Sequence, residues 1–160
     1  MTTETRDHID VVNVVHQHFR RCDDKDFAGA RSLWADEVTI DFGGVNPDAE
    51  GVTSAETVLR SLEGLLGPME FVQHMLTTQV VTVDGDEATV EYHLEALHHH
   101  SALGESQDVN TWTHYGRGSH GLRRVDGGWK IVSVRLIVLH HTGNANMPAD
   151  IKAAKASAGE

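Results

Sequence analysis

The sequence has one cysteine, Cys22, in 160 residues, so no disulfide can form within the chain. That fits a reducing compartment and sets a cytoplasmic expectation. Basic residues are scarce: 13 Lys and Arg stand against 24 Asp and Glu, for a net charge of -11. Such a balance argues against nucleic acid, whose phosphates need Lys and Arg stripes, and against an anionic membrane surface. No stretch approaches the roughly 18 apolar residues of a membrane span. The opening Met-Thr-Thr-Glu-Thr-Arg-Asp-His also lacks the apolar run of a secretory signal. There is no internal repeat, no low-complexity linker, and no metal-binding spacing of the His-Glu-x-x-His kind.

What is present is an ordinary globular composition, 39% hydrophobic and 23% charged, sized for one domain with one core. Histidine is the outlier at 12 residues. His98-His99-His100 and His140-His141 are clustered, and His93, His114 and His120 share the same half of the chain. Consecutive strand residues point to opposite faces, so the triple run offers at most two ligands per face. Neither a native metal nor a cofactor is expected.

The apolar spacing predicts a helix from about Thr5 to Arg21, burying Ile9, Val12, Val15, Phe19 and Cys22 with His16 alongside. Asp26 is placed to cap a second helix through about Trp34, and Ser54 a third over Ala55 to Leu66, stopped by Gly67-Pro68. Glu37–Phe42 alternates as a short strand, and Gly43 to Thr53 reads as a loop. Four strand-like runs follow: Phe71–Val83, Glu87–Leu97, Asp108–Arg124 and Trp129–His141. Turns at Asp84-Gly85-Asp86 and Val125-Asp-Gly-Gly128 join two of the pairs, and Ser101–Gln107 reads as a loop. Gly116 and Gly118 invite a bend or bulge. Residues 1–142 form the expected domain, and 143–160 a tail, helical from about Ala149. Three helices followed by a long antiparallel meander is an α+β pattern. A strongly bent sheet under helices makes a cone able to hold a small apolar molecule.

Asp23 and His74 are polar residues where the pattern asks for apolar ones. Asp23 follows Phe19 by four residues and projects from the same helix face. His74 sits near the start of a strand. A carboxylate brought inside must find a partner, and one that accepts from a ring nitrogen of His leaves the other nitrogen as a base. On residue 98, the side chain shares parity with Tyr92, Leu94 and Ala96 and is expected to face the cavity. Tyr92 and Tyr115 are the candidate donors to an oxyanion, Trp112 and His114 candidate lining residues, and Trp34 and Trp129 core. Cys22 reads as a small buried hydrophobe.

The segments Cys-Asp-Asp-Lys-Asp-Phe (22–27), Ala-Arg-Ser-Leu-Trp-Ala-Asp-Glu-Val (30–38), Val-Gln-His-Met-Leu (72–76), Val-Asp-Gly-Asp-Glu-Ala-Thr-Val (83–90) and Arg-Val-Asp-Gly-Gly-Trp-Lys-Ile (124–131) resemble the SnoaL-like branch of the nuclear transport factor 2-like superfamily. The resemblance covers roughly Ile9 to His141 and implies the cone-shaped fold of that superfamily. Asp23 and His74 look like the Asp–His dyad of its scytalone dehydratases and hexachlorocyclohexane dehydrochlorinases. Tyr92-His93 and His98 fall where the dehydratases carry a Tyr-His pair and a second active-site His. The polar Ser and Asn of those enzymes fall at Gly116 and Gly118 here. The resemblance implies a lyase of dehydratase type acting on a small apolar substrate, with Asp23, His74 and His98 catalytic and Tyr92 beside the substrate; Trp112 and His114, by parity, and Tyr115, as a donor, are the further residues expected around it. An isomerase or cyclase using the same dyad, and a non-catalytic binding or dimerisation module, are the alternatives. It also implies a homo-oligomer, dimer or trimer, formed through the open face of the sheet.

Overall fold

The computed structural model describes residues 3–42 and 50–158. The chain runs α1 (Thr3–Asp23), α2 (Phe27–Arg31), β1 (Trp34–Asp41), β2 (Glu50–Ser54), α3 (Ala55–Leu66), β3 (Phe71–Asp84), β4 (Glu87–His99), a 3-10 turn (Ser101–Leu103), α4 (Gln107–Asn110), β5 (Thr111–Val125), β6 (Gly128–Gly143) and α5 (Met147–Ala158). One six-stranded sheet has the order β2-β1-β6-β5-β4-β3. Only the β1–β6 pair is parallel; the others run antiparallel. The architecture is the expected α+β arrangement of helices on a bent sheet, with more helices among the described residues than the three anticipated.

The sheet is one-sided. In β4, Ala88, Val90, Tyr92, Leu94, Ala96 and His98 are buried, and the residues between them are exposed or half-buried. That period-two pattern directs one face inward, where α1 and α3 cover it with Val11, Val15, Leu59 and Leu66. At about 25 cal/mol per Å² of apolar surface, this shared interior is the main source of stability. The β5–β6 hairpin turns through Asp126 (φ 50°) and Gly127 (φ 79°). Two positive φ values in a two-residue loop match the right-handed twist of the strands, which is why Asp-Gly serves there.

Several expectations change. The inward face of α1 carries Val11, Val15, His18 and Cys22, while Ile9 is 46% exposed and His16 is exposed. The 11, 15, 18, 22 spacing is itself helical, and His18 goes inside because Trp34 supplies its hydrogen bond. The second helix stops at Arg31, and Trp34 opens β1 instead of closing α2. The Gly43–Thr53 loop lies partly outside the described residues (43–49), and its remainder belongs to β2. Residues expected as a loop at 101–107 contain the 3-10 turn and the start of α4, so β5 begins at Thr111 and not at Asp108. The closing segment forms α5, whose Met147 and Ile151 are fully buried.

Both ends of α1 are pinned to the sheet. Asp7 pairs with Arg124 at 3.0 Å near the β5–β6 turn, and Arg124 also bonds Asp86 at 3.0 Å and lies over Trp129. At the other end, Lys25 adopts a left-handed φ of 59° and its Nζ donates to the Met69 carbonyl. The α1–α2 turn is thereby tied to the start of β3, which sets the position of Asp23. No helix among the described residues is long and apolar enough to cross a membrane.

Candidate active site

Asp23, the last residue of α1, meets His74 of β3 through both of its oxygens. Oδ1 lies 2.5 Å from His74 Nδ1, and Oδ2 accepts from the His74 backbone N–H at 3.0 Å. β3 is an edge strand, so some of its backbone groups have no neighbouring strand. Asp23 takes up one of them while holding the ring. An ionised carboxylate only accepts, so Nδ1 carries the proton and Nε2 of the neutral ring presents a lone pair. The two side chains are 18% and 10% exposed, so neither reaches bulk solvent freely. Phe19, one turn before Asp23, packs on the imidazole with ring centroids 5.0 Å apart. The dyad borders a groove of about 460 Å³ lined by Phe19, Phe71, Val72 and Leu76, with His16, Arg20 and Gln73 among its polar residues.

Across the sheet, register brings further rings to the same level. Val72 pairs with His98 and His98 with Trp112, while His74 pairs with Ala96 and Ala96 with His114. The His74 and His98 centroids are 6.2 Å apart. His98 stacks on Trp112 at 4.8 Å and lies 5.2 Å from His114. His98 Nδ1 is 3.1 Å from the Trp112 carbonyl, which only accepts, so this nitrogen is the protonated one. Burial holds His98 down at about 4. Neutral and with Nδ1–H committed, it offers Nε2 as an acceptor. A buried imidazole with a carbonyl on one nitrogen is held in its uncharged form. Burial likewise lowers His114 to about 4.

The structure removes Tyr115 from this group. It is 38% exposed, projects from the outer face of the sheet, and stacks on His140. The residue is odd in parity with respect to Trp112 and His114, and β5 keeps unbroken register with β4 there, the nearby extra residue being Leu139 of β6. Tyr92 is on the inner face but deeper, with its hydroxyl 2.9 Å from His120 Nδ1. Its ring lies against Gly118, where an added Cβ would come within 2.5 Å of it. The small residue at 118 makes room for Tyr92.

Two deep histidines had no assigned role. His120 is 0% exposed and held down at about 3 by burial. His18 is pushed well below its ordinary value, by burial first and then by His120 and His74. Its Nδ1 accepts from Trp34 Nε1 at 3.2 Å, and its centroid is 5.4 Å from that of His120. The signals were the helical spacing of His18 and the shared parity of His120 with Trp112 and His114. Cys22 lies beside His18 with Sγ to Nδ1 at 3.8 Å, and burial raises its thiol to about 12. Among the described residues, no group of three or more His, Cys, Asp and Glu converges as a metal-ligand set.

Comparison with known proteins adds the following. The family model described as "SnoaL-like domain" matches residues 3–135. No curated protein sequence matches the chain. Among solved structures, the Kfla4162 protein from Kribbella flavida is 24% identical with a TM-score of 0.82, covering 91% of this chain and 99% of its own. The "Putative Scytalone Dehydratase" from Novosphingobium aromaticivorans DSM 12444 is 19% identical with a TM-score of 0.74, covering 89% and 90%. The hexachlorocyclohexane dehydrochlorinase LinA-type3 from Novosphingobium barchaimii LL02 is 14% identical with a TM-score of 0.72, covering 89% and 92%. At these identities the likeness is one of fold.

Proposed function

The chain belongs to the SnoaL-like domain family, and from that membership and the geometry around His74 we propose that it is a cofactor-independent lyase of dehydratase type. The observation that carries this reading is the commitment of both Asp23 oxygens to His74. One bond fixes the tautomer and the other fixes the carboxylate. His74 Nε2 removes a proton from the carbon next to a substrate carbonyl. The C–H pair becomes a C=C bond, and the carbonyl pair moves onto oxygen. When that oxyanion collapses, a hydroxyl on the β-carbon leaves with its bonding pair and takes the proton back from the His74 imidazolium as water. One histidine thus serves as base and then acid, and Asp23 stabilises the charged intermediate form. Proton transfer of this kind contributes on the order of 10²–10⁴-fold, the rest coming from orientation in the groove.

The substrate class is a small, mostly apolar carbonyl compound with a leaving group. The same abstraction without loss of a group gives an isomerase or cyclase, and a product lighter by one water separates the two. The test is turnover of such β-hydroxy carbonyl compounds by the protein and by Asp23→Asn and His74→Ala. Full activity in either folded variant ends the assignment. Self-association belongs to this proposal too: Phe71, Met75, Tyr115 and Leu139 are exposed apolar residues, and a depression of about 370 Å³ lies beside the last three. A mass measurement in solution that returns only monomer removes that part.

A further inference from the structure

Among the described residues, three that are not glycine have a positive φ: Lys25, Thr78 and Asp126. Lys25 and Asp126 lie in turns, but Thr78 (φ 52°) lies inside β3, and a β-branched residue rarely takes that conformation. It belongs to a bulge. Thr77 pairs with His93 and Val80 with Glu91, so Thr78 and Gln79 together oppose Tyr92. The extra residue changes which side chains face inward. Before it Val72, His74 and Leu76 do so; after it Val81 and Val83 do. Gln79 is in phase with the second set. In an unbroken strand Thr78 would take the inward position and Gln79 would point away from α1. With the bulge the Gln79 amide reaches α1, where its Nε2 lies 2.5 Å from His16 Nε2.

His16 is exposed and lines the same groove as His74. His16, Phe19 and Asp23 follow one another at helical spacing along one face of α1. At about 1.5 Å per residue, His16 stands about 10 Å along the helix from Asp23. The amide N–H donates to His16 Nε2, so the neutral ring carries its proton on Nδ1. That leaves one acceptor, Gln79 Oε1, and one donor, His16 Nδ1–H, with no further partner among the described residues. Turning the amide over exchanges the two roles and keeps the count. One donor beside one acceptor complements a hydroxyl, which does both, whereas a carboxylate only accepts. Asp23 and Asp24 also line the groove, and its cation, Arg20, is paired with Asp24 at 3.6 Å.

We propose that His16 and Gln79 form a second subsite of this groove, which binds a hydroxyl at the far end of a substrate whose acidic carbon faces His74. This rests on the dyad reading and narrows its substrate class to an uncharged, elongated hydroxy-carbonyl compound, its apolar body lying along Phe19 and Leu76. His16 and Gln79 thus determine specificity from a point remote from the reacting atoms.

The experiment measures binding of 4-acetylbiphenyl and of its 4′-hydroxy and 4′-carboxylate derivatives to the intact protein by titration calorimetry. The two para-linked rings carry the second substituent to the far end of such a groove. The hydroxy compound is expected to bind about tenfold tighter than the parent, with no gain for the carboxylate. Gln79→Leu and His16→Phe each bring the hydroxy and parent affinities together. Circular dichroism checks folding, and because the pair comes from two elements, either folded variant decides. No binding by any of the three, equal affinities for the hydroxy compound and the parent, tightest binding of the carboxylate, or a difference that survives either substitution overturns the proposal. Equal affinities would leave the bulge as a device for bending the sheet only. Binding needs no turnover, so this result stands or falls separately from the Asp23 and His74 activity test.

Discussion

Two rings of aromatic and imidazole groups share the inside of this sheet, with Phe19 in contact with both. The deeper one, His18, Trp34, Tyr92 and His120, is sealed, and its main polar contacts are internal: Trp34 to His18 and Tyr92 to His120. The outer one, His74, His98, Trp112 and His114, is built from the same residue types at the open end of the same strands. It differs in having a carboxylate partner from α1 and half-buried members; buried nitrogens without a partner occur in both, at Trp112 and His114 in the outer ring and at His120 Nε2 in the deeper one. The lesson is that histidine content does not mark a site. What separates the two rings is the carboxylate that α1 brings to His74.

The widest effect that separates the two rings is on acid stability. His18, His98, His114 and His120 all have folded values below the ordinary 6.5 through burial. In the unfolded chain each takes up a proton as pH falls below 6.5, while the folded chain does not. Their stabilising effect is therefore complete above about 6.5 and is lost as pH falls toward 4, and toward 3 for His120. Each contributes a slope of up to about 1.4 kcal/mol per pH unit in that window, enough together to unfold a domain of ordinary stability. Chemical denaturation at a series of pH values measures it. A flat profile between pH 6.5 and 4.5 would sink the description of these rings as neutral and buried.

Next in size is the dyad. Asp23→Asn keeps the shape, loses the charge and frees the tautomer, and turnover is expected to drop about 10³–10⁴-fold at pH 7 with little change in melting temperature. Steady-state rates on a β-hydroxy carbonyl substrate read this directly. Trp34→Phe acts on the deep ring instead. It strands His18 Nδ1 in the interior and should cost about 1–3 kcal/mol of stability, with rates within a few-fold of the parent. A large loss of rate without loss of stability would erase the division between the rings. The smallest effect expected is at Cys22. With its thiol raised to about 12 and 2% exposed, it should stay unlabelled by a disulfide reagent in the folded protein and react on unfolding. Prompt labelling of the native protein would mean that the deep ring is open.

Much of this was legible beforehand, and the reasons are local. Ser54 before Ala55 and Gly67-Pro68 after Leu66 bracket α3 because capping chemistry acts over one turn. The alternation of β4 and the Asp-Gly turns set strands and hairpins, and the helical spacing of Phe19 and Asp23 put the acid near the cavity. The misreadings are of another kind. Trp34 is core as its type suggests, but it opens β1 and does not close α2, with its indole bonded to His18, sixteen residues away. Ile9 lost its inward place to Val11 and His18 because the angle at which α1 lies on the sheet is a packing outcome. Tyr115, by contrast, was displaced by nothing distant: its odd parity against Trp112 and His114 already puts it on the opposite face.

The sequence by itself determined the long helices and strands, their order, the one-sided sheet and the family, because propensity, caps and hydrophobic period act between residues a few positions apart. Tertiary structure alone decided that an aspartate and a histidine 51 residues apart share two hydrogen bonds. It also decided which imidazole nitrogens are spent, and that the indole of Trp34 finds a partner while those of Trp112 and Trp129 do not. Those outcomes depend on the partner that each polar atom finds when distant segments are buried together, and one hydrogen bond more or less changes a ring from acid to acceptor.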